Sequence, residues 1–141
     1  MNREDIEQRI ERACCGLYEQ DKRLIDQESN EAGIVADALA PRLRNEFPEW
    51  DVNTTYNREG SGDDSKRDVD GNIMVPDIII HRPGLVGPNI AVIEIKGFWN
   101  NENRAKDEDK LRRIGLKFNY EHLYRIELQR DGYELIRVSP V

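Results

Sequence analysis

The sequence predicts an α/β protein whose central sheet has mixed strand direction and is flanked by helices. Three observations predict it. Apolar residues recur at helical spacing through the first third of the chain. Runs rich in β-branched and aromatic residues follow, bounded by Pro and Gly. A charged helix then separates those runs from a closing pair of strands, giving the order α, α, β, β, β, α, β, β.

Residues 3 to 22 set Ile6, Ile10, Ala13, Cys14 and Leu17 on one helical face, with charged residues between them. Cys14 and Cys15 are adjacent within this helix. Vicinal cysteines rarely bridge, and no other Cys or His lies at metal-site spacing, so both read as reduced, partly buried core thiols. A second helix is expected after Ser29, a good N-cap, with Ile34, Val35, Ala38, Leu39, Leu43 and Phe47 inward. Pro41 falls inside it and should kink it or remove one hydrogen bond. "WDVNTTYNRE" then reads as a strand. Gly60 to Asn72 is a polar loop; its "DVDGN" cannot fill the positions of a calcium loop and reads as a turn around Asp70-Gly71.

Strands follow at "VPDIIIHR" and "NIAVIEIKGFW", joined by the Pro- and Gly-rich "PGLVGP". A helix is expected from about Asn103 to Lys117, and the last two strands are hinged at Asp131-Gly132. Trp99 closes the third strand, where core or rim packing competes with base stacking.

The length of 141 residues suits one domain with one core. No apolar run approaches the roughly 18–20 residues of a membrane span, and no signal-peptide core stands near Met1, so the expectation is a soluble cytoplasmic protein. A net charge of −7 argues against coating nucleic acid by bulk electrostatics, but not against meeting a phosphodiester at a local basic surface.

Glu94 and Lys96 interrupt an otherwise apolar strand. A charge taken out of water is costly unless paired, so something must compensate for them. Side chains alternate along a strand, so Val92, Glu94 and Lys96 share one face. Pro76 suits a strand start, which sets Asp77 at the end of the neighbouring strand, within reach of Glu94 and Lys96. Two carboxylates and a lysine at a sheet's end suit a hard divalent cation that takes its remaining ligands from water and phosphate. The pattern acidic-x-Lys also occurs at Asp64-x-Lys66 and Glu108-x-Lys110, but only Glu94-x-Lys96 breaks an apolar strand. The competing reading is a salt bridge on a solvent-facing side of the sheet.

Pro76-Asp77 together with Glu94-Ile95-Lys96 resembles the motif of the PD-(D/E)XK nuclease superfamily. Within it the chain looks most like small restriction-endonuclease-like proteins of bacterial and phage genomes. The resemblance implies a restriction-endonuclease-like αβββαβ core over residues 29 to 141, with residues 1 to 26 as an extra helical extension of one single domain. It implies Asp77 and Glu94 as ligands of Mg²⁺ or Mn²⁺, with the backbone carbonyl of Ile95 as a third contact. Lys96 would orient or help deprotonate the attacking water. Many members carry a glutamate on the first core helix; Glu31 matches that place as a further catalytic and metal-binding carboxylate. The competing account of Glu31 is a favourable charge at a helix N-terminus.

Lys106, Lys110, Arg113 and Lys117 form one stripe on the charged helix. They read either as a phosphate-tracking ridge or as partners in i,i+4 pairs: Glu102–Lys106, Glu108–Arg112 and Asp109–Arg113. Arg58 could reach a phosphate, or close a salt bridge at the sheet edge. Two functions follow from different classes. One is a metal-dependent nuclease with DNA as substrate; the other is a nuclease-like fold that serves as a binding or assembly module. A domain this small often needs a second copy or a partner protein to grip a duplex.

Overall fold

The computed structural model describes residues 1–54, 76–82 and 89–140. The expected "YNRE" segment with Arg58, the polar loop from Gly60 to Asn72 and the "PGLVGP" connection lie outside the described residues.

Helix α1 (Arg3–Gln20) starts at Asn2, whose side chain accepts from the Asp5 N–H, and buries Ile6, Ile10, Ala13, Cys14 and Leu17. Cys14 is buried, and burial pushes its thiol up to about 12. Cys15 is exposed, which corrects the expectation that both thiols are partly buried: one step of about 100° round the helix carries it off the edge of the buried face that ends at Cys14. A short α2 (Lys22–Asp26) follows. The next helix is capped by Asn30 rather than Ser29. Its side chain accepts from the N–H groups of Ala32 and Gly33, so that α3 (Glu31–Ile34) opens with Glu31 in its first turn.

The chain then widens into a π-turn, Val35–Leu39, before resuming as α4 (Ala40–Glu46). The Ala40 N–H bonds to the Val35 carbonyl, five residues back. Pro41 lacks an N–H and its ring would clash with the carbonyl four residues earlier; one wide turn relieves both problems without ending the helix. The apolar face from Ile34 to Phe47 is buried as expected.

Strands β1 (Asp51–Thr54), β2 (Ile78–His81), β3 (Asn89–Gly97), β4 (Tyr120–Leu128) and β5 (Tyr133–Val138) form one five-stranded sheet in chain order. The pairs β1/β2, β2/β3 and β4/β5 are antiparallel, and β3/β4 is parallel. The parallel pair is the one that needs a crossover, and helix α5 (Arg104–Phe118) supplies it. Asn103 caps α5 by accepting from the Ala105 N–H, and Asn119 ends it in the left-handed region at φ 61°.

Helices cover both faces. On one side Ile78, Ile80, Ala91, Ile93, Ile95, Tyr124, Ile126 and Leu128 join the apolar residues of α1, α3, the π-turn and α4. On the other, Ile79, Val92, Leu123 and Val138 meet Leu111 and Ile114 of α5. The protein is therefore α/β, with a mixed five-stranded sheet between helical layers. Among the described residues no helix is long and apolar enough to cross a membrane.

Candidate metal centre at the end of the central strands

Strand β3 is nine residues long and β2 only four, so β2 leaves the last part of β3 without a backbone partner on that side. Unpaired buried N–H groups are costly. Two carboxylates satisfy them. Asp77 Oδ2 accepts from the Ile95 N–H at 2.8 Å, and Glu31 Oε2 accepts from the Gly97 N–H at 2.9 Å. An N–H and a C=O of one strand residue leave on the same side, so the Ile95 carbonyl also faces the Asp77 edge.

The β2/β3 register pairs Ile78 with Ile93; continued by one residue, it sets Asp77 opposite Glu94 on the same face. Glu94 is only 3 % exposed. Burial raises its carboxyl well above the usual range, the neighbouring Asp77 carboxylate adds to that, and Lys110 opposes both. Lys110 Nζ stands 2.5 Å from Glu94 Oε1, so an ammonium from α5 meets this buried carboxylate. The two carboxylates expected to meet do meet.

Lys96 points toward α5, where it pairs with Glu102 at 3.0 Å and Asp107 at 3.4 Å. Burial pulls its ammonium down in pKa, but Glu102 and Asp107 outweigh this and hold it above its ordinary value. Glu102 is in turn lowered, by Lys96 first. Glu31 is tied into the same network from the other side. Asn100 Nδ2 donates to Glu31 at 3.0 Å and to Glu102 at 3.3 Å, so one polar chain runs Glu31, Asn100, Glu102, Lys96, Asp107. Glu31 is thus anchored at Gly97, one residue beyond Lys96. Among the described residues, no group of three or more His, Cys, Asp or Glu side chains converges so as to hold a metal ion.

Sequence reasoning missed the residues that frame this site. Parallel pairing sets Arg125 beside Glu94 and Glu127 beside Lys96, opposite charges in register. Arg125 is 9 % exposed and bridges Glu127 at 2.8 Å and Glu108 of α5 at 3.0 Å. Arg104 binds both Glu127 oxygens, and donates to the carbonyls of Gly97, Asn100 and Glu102, which fixes the turn after β3. The signal was present: "YRIEL" interrupts an apolar strand just as "VIEIK" does.

Of the expected basic stripe, Lys106, Arg113 and Lys117 are exposed, whereas Lys110 turns inward to Glu94. Among the expected helical pairs, Arg112 approaches Glu108 at 3.7 Å, while Glu102 turns to Lys96. Trp99 packs at the rim of the apolar core, edge-on to Phe98, as the packing alternative required.

A cavity of about 570 Å³ lies elsewhere, on the α1 face. Its wall groups Arg3, Glu7, Tyr124 and Arg137 already bond to one another, so its volume brings no unsatisfied chemistry with it. The Asp77–Glu94 pair is the stronger candidate for that reason. Comparisons of the chain with protein-family models, curated proteins and solved structures find no match.

Proposed function

We propose that the protein is a metal-dependent nuclease of the PD-(D/E)XK type that hydrolyses DNA phosphodiesters. One observation carries the reading: the buried Glu94 carboxylate faces Asp77 at the ends of adjoining strands. Two like charges in a dry place are unfavourable for folding and favourable for holding a cation. The helix–three strands–helix–strand order from Glu31 to Leu128, with β4 parallel to β3, supports the restriction-endonuclease-like fold.

The donor set fits Mg²⁺ or Mn²⁺: two carboxylates and the Ile95 carbonyl are hard oxygen ligands, leaving room for water and substrate phosphate. Such an ion, when bound, would polarise the phosphoryl oxygen and lower the pKa of a coordinated water. Asp77 and Glu94 hold it. Lys96, kept charged by Glu102 and Asp107, supplies positive charge beside the phosphate where negative charge develops. Glu31 positions the Gly97 end of β3 rather than adding a third carboxylate to the pair. Lys106, Arg113 and Lys117 offer exposed contacts to the phosphate backbone.

A nicking assay on supercoiled plasmid, branched DNA and single-stranded DNA with Mg²⁺ or Mn²⁺ tests the reading. Cleavage that vanishes in Asp77→Asn and Glu94→Gln is the expected result. Wild-type protein that leaves all three substrates intact would remove it. The second reading, a catalytically silent binding or assembly module, has its own support. Lys96 is already engaged by two carboxylates and Glu94 by Lys110, an arrangement that compensates the site without any metal ion.

A further inference from the structure

We infer that Lys110 is the resident counter-cation of the Asp77–Glu94 pair and is exchanged out when a divalent cation enters. The inference rests on the metal-site reading above and adds how that site is kept and opened. Its basis is geometric. Lys110 is the one residue of the α5 basic stripe found against a β3 carboxylate, while its neighbours Lys106 and Arg113 stay exposed. Its ammonium contacts Oε1 of Glu94, the carboxylate that faces Asp77.

The contact is a close ion pair between a partly exposed ammonium and a buried carboxylate. A metal ion and an ammonium cannot both sit on one carboxylate oxygen, since like charges a few ångströms apart repel strongly in a poorly hydrated place. The lysine side chain is about one-third exposed and ends a flexible stem, so it has an open path to solvent and to the rest of the stripe. Glu94, 3 % exposed, has no such path. The nearby Lys96 differs: Glu102 and Asp107 hold it from the other side, so it can remain while Lys110 leaves.

Removing the charge of Lys110 should therefore help a divalent cation rather than hinder it. Calorimetric titration of Mn²⁺ into wild type, Lys110→Gln, Lys110→Arg and Asp77→Asn tests this, with circular dichroism to confirm that each is folded. Lys110→Gln should bind about tenfold more tightly than wild type or better. Lys110→Arg should show no gain, because it retains the competing charge, and Asp77→Asn should lose binding. If wild type binds and Lys110→Gln binds equally or less well, the exchange is wrong and the metal site stands. A gain in Lys110→Arg equal to that in Lys110→Gln also overturns it, since charge would then not be the cause. If neither wild type nor Lys110→Gln takes up Mn²⁺, both the exchange and the metal-site reading fall. Binding by Lys110→Gln alone supports the exchange in its strongest form.

Discussion

Along β3, Ile93 and Ile95 enter the apolar layer against α1, α3 and α4, whereas Glu94 and Lys96 enter a charged layer beneath α5. One strand thus supplies two environments, separated only by the alternation of side chains. On the first face burial is its own reward, because apolar area leaves water. On the second, Ile79, Val92, Leu123, Leu111 and Ile114 cover the start of β3, and beyond Val92 every inward position carries charge. Lys96, Arg125, Arg104 and Glu127 are mutually compensated there. Asp77 and Glu94 are the members whose proximity works against folding. Function is to be sought at that pair, because two carboxylates brought together in a buried place oppose folding.

The comparison is broken most directly by neighbouring substitutions on β3. Ile93→Ala removes a fully buried side chain and should destabilise the protein by about 2–5 kcal/mol in denaturant unfolding. Glu94→Gln, one residue away and almost as buried, should fall within about 1 kcal/mol of wild type or be more stable, because it removes repulsion with Asp77. If Glu94→Gln unfolds as readily as Ile93→Ala, then Glu94 is a structural salt-bridge residue after all.

A smaller effect tests the junction where the two faces meet. A Cβ on Gly97 would lie 2.4 Å from the Trp99 ring, too close for any real contact, while the Gly97 N–H and C=O are held by Glu31 and Arg104. Gly97→Ala should cost about 1–3 kcal/mol and shift the tryptophan emission as Trp99 is pushed from the core rim. Unchanged emission would mean that strand, ring and Glu31 are not coupled.

Much of this was legible beforehand. The α1 and α5 apolar faces, the strand at 89 to 97 and the meeting of Asp77 with Glu94 follow from period and from a proline at a strand start. What was not legible depends on partners distant in sequence. Ser29 and Asn30 are both good caps, and the helix that starts at Asn30 brings Glu31 to the distant Gly97 N–H, a contact no local pattern encodes. Lys110 and Lys106 lie on the same helical stripe. Which of them turns inward is set by where α5 crosses β3, and no local pattern encodes that crossing. Arg125 and Glu127 become functional candidates only once β4 is known to run parallel to β3 in this register.

The smallest predicted effect lies at the polar rim of the apolar face, where His122, Tyr124, Arg137 and Glu7 cluster. Burial lowers the pKa of His122 from its ordinary 6.5, and Arg137 adds to this, against weaker opposition from Glu121 and Glu7. Arg137 Nη1 stands 3.0 Å from Nδ1; a guanidinium can only donate, so the neutral ring is the form that fits. Below its ordinary pKa the unfolded chain takes up this proton more readily than the folded protein does. Stability contributed by neutral His122 is therefore complete above about pH 7 and is lost as pH falls through 6.5 toward the lower folded value. Glu94 has the opposite sign. Its raised pKa means the folded protein holds that proton more tightly, so its penalty grows as pH rises above the ordinary carboxyl range. Urea unfolding of wild type and His122→Gln between pH 7.5 and 5 separates the two contributions, because Glu94 is common to both proteins. The stability difference between them should shrink or reverse toward acid. Parallel curves would show that the charged rim histidine is no worse placed in the folded protein than in the unfolded chain.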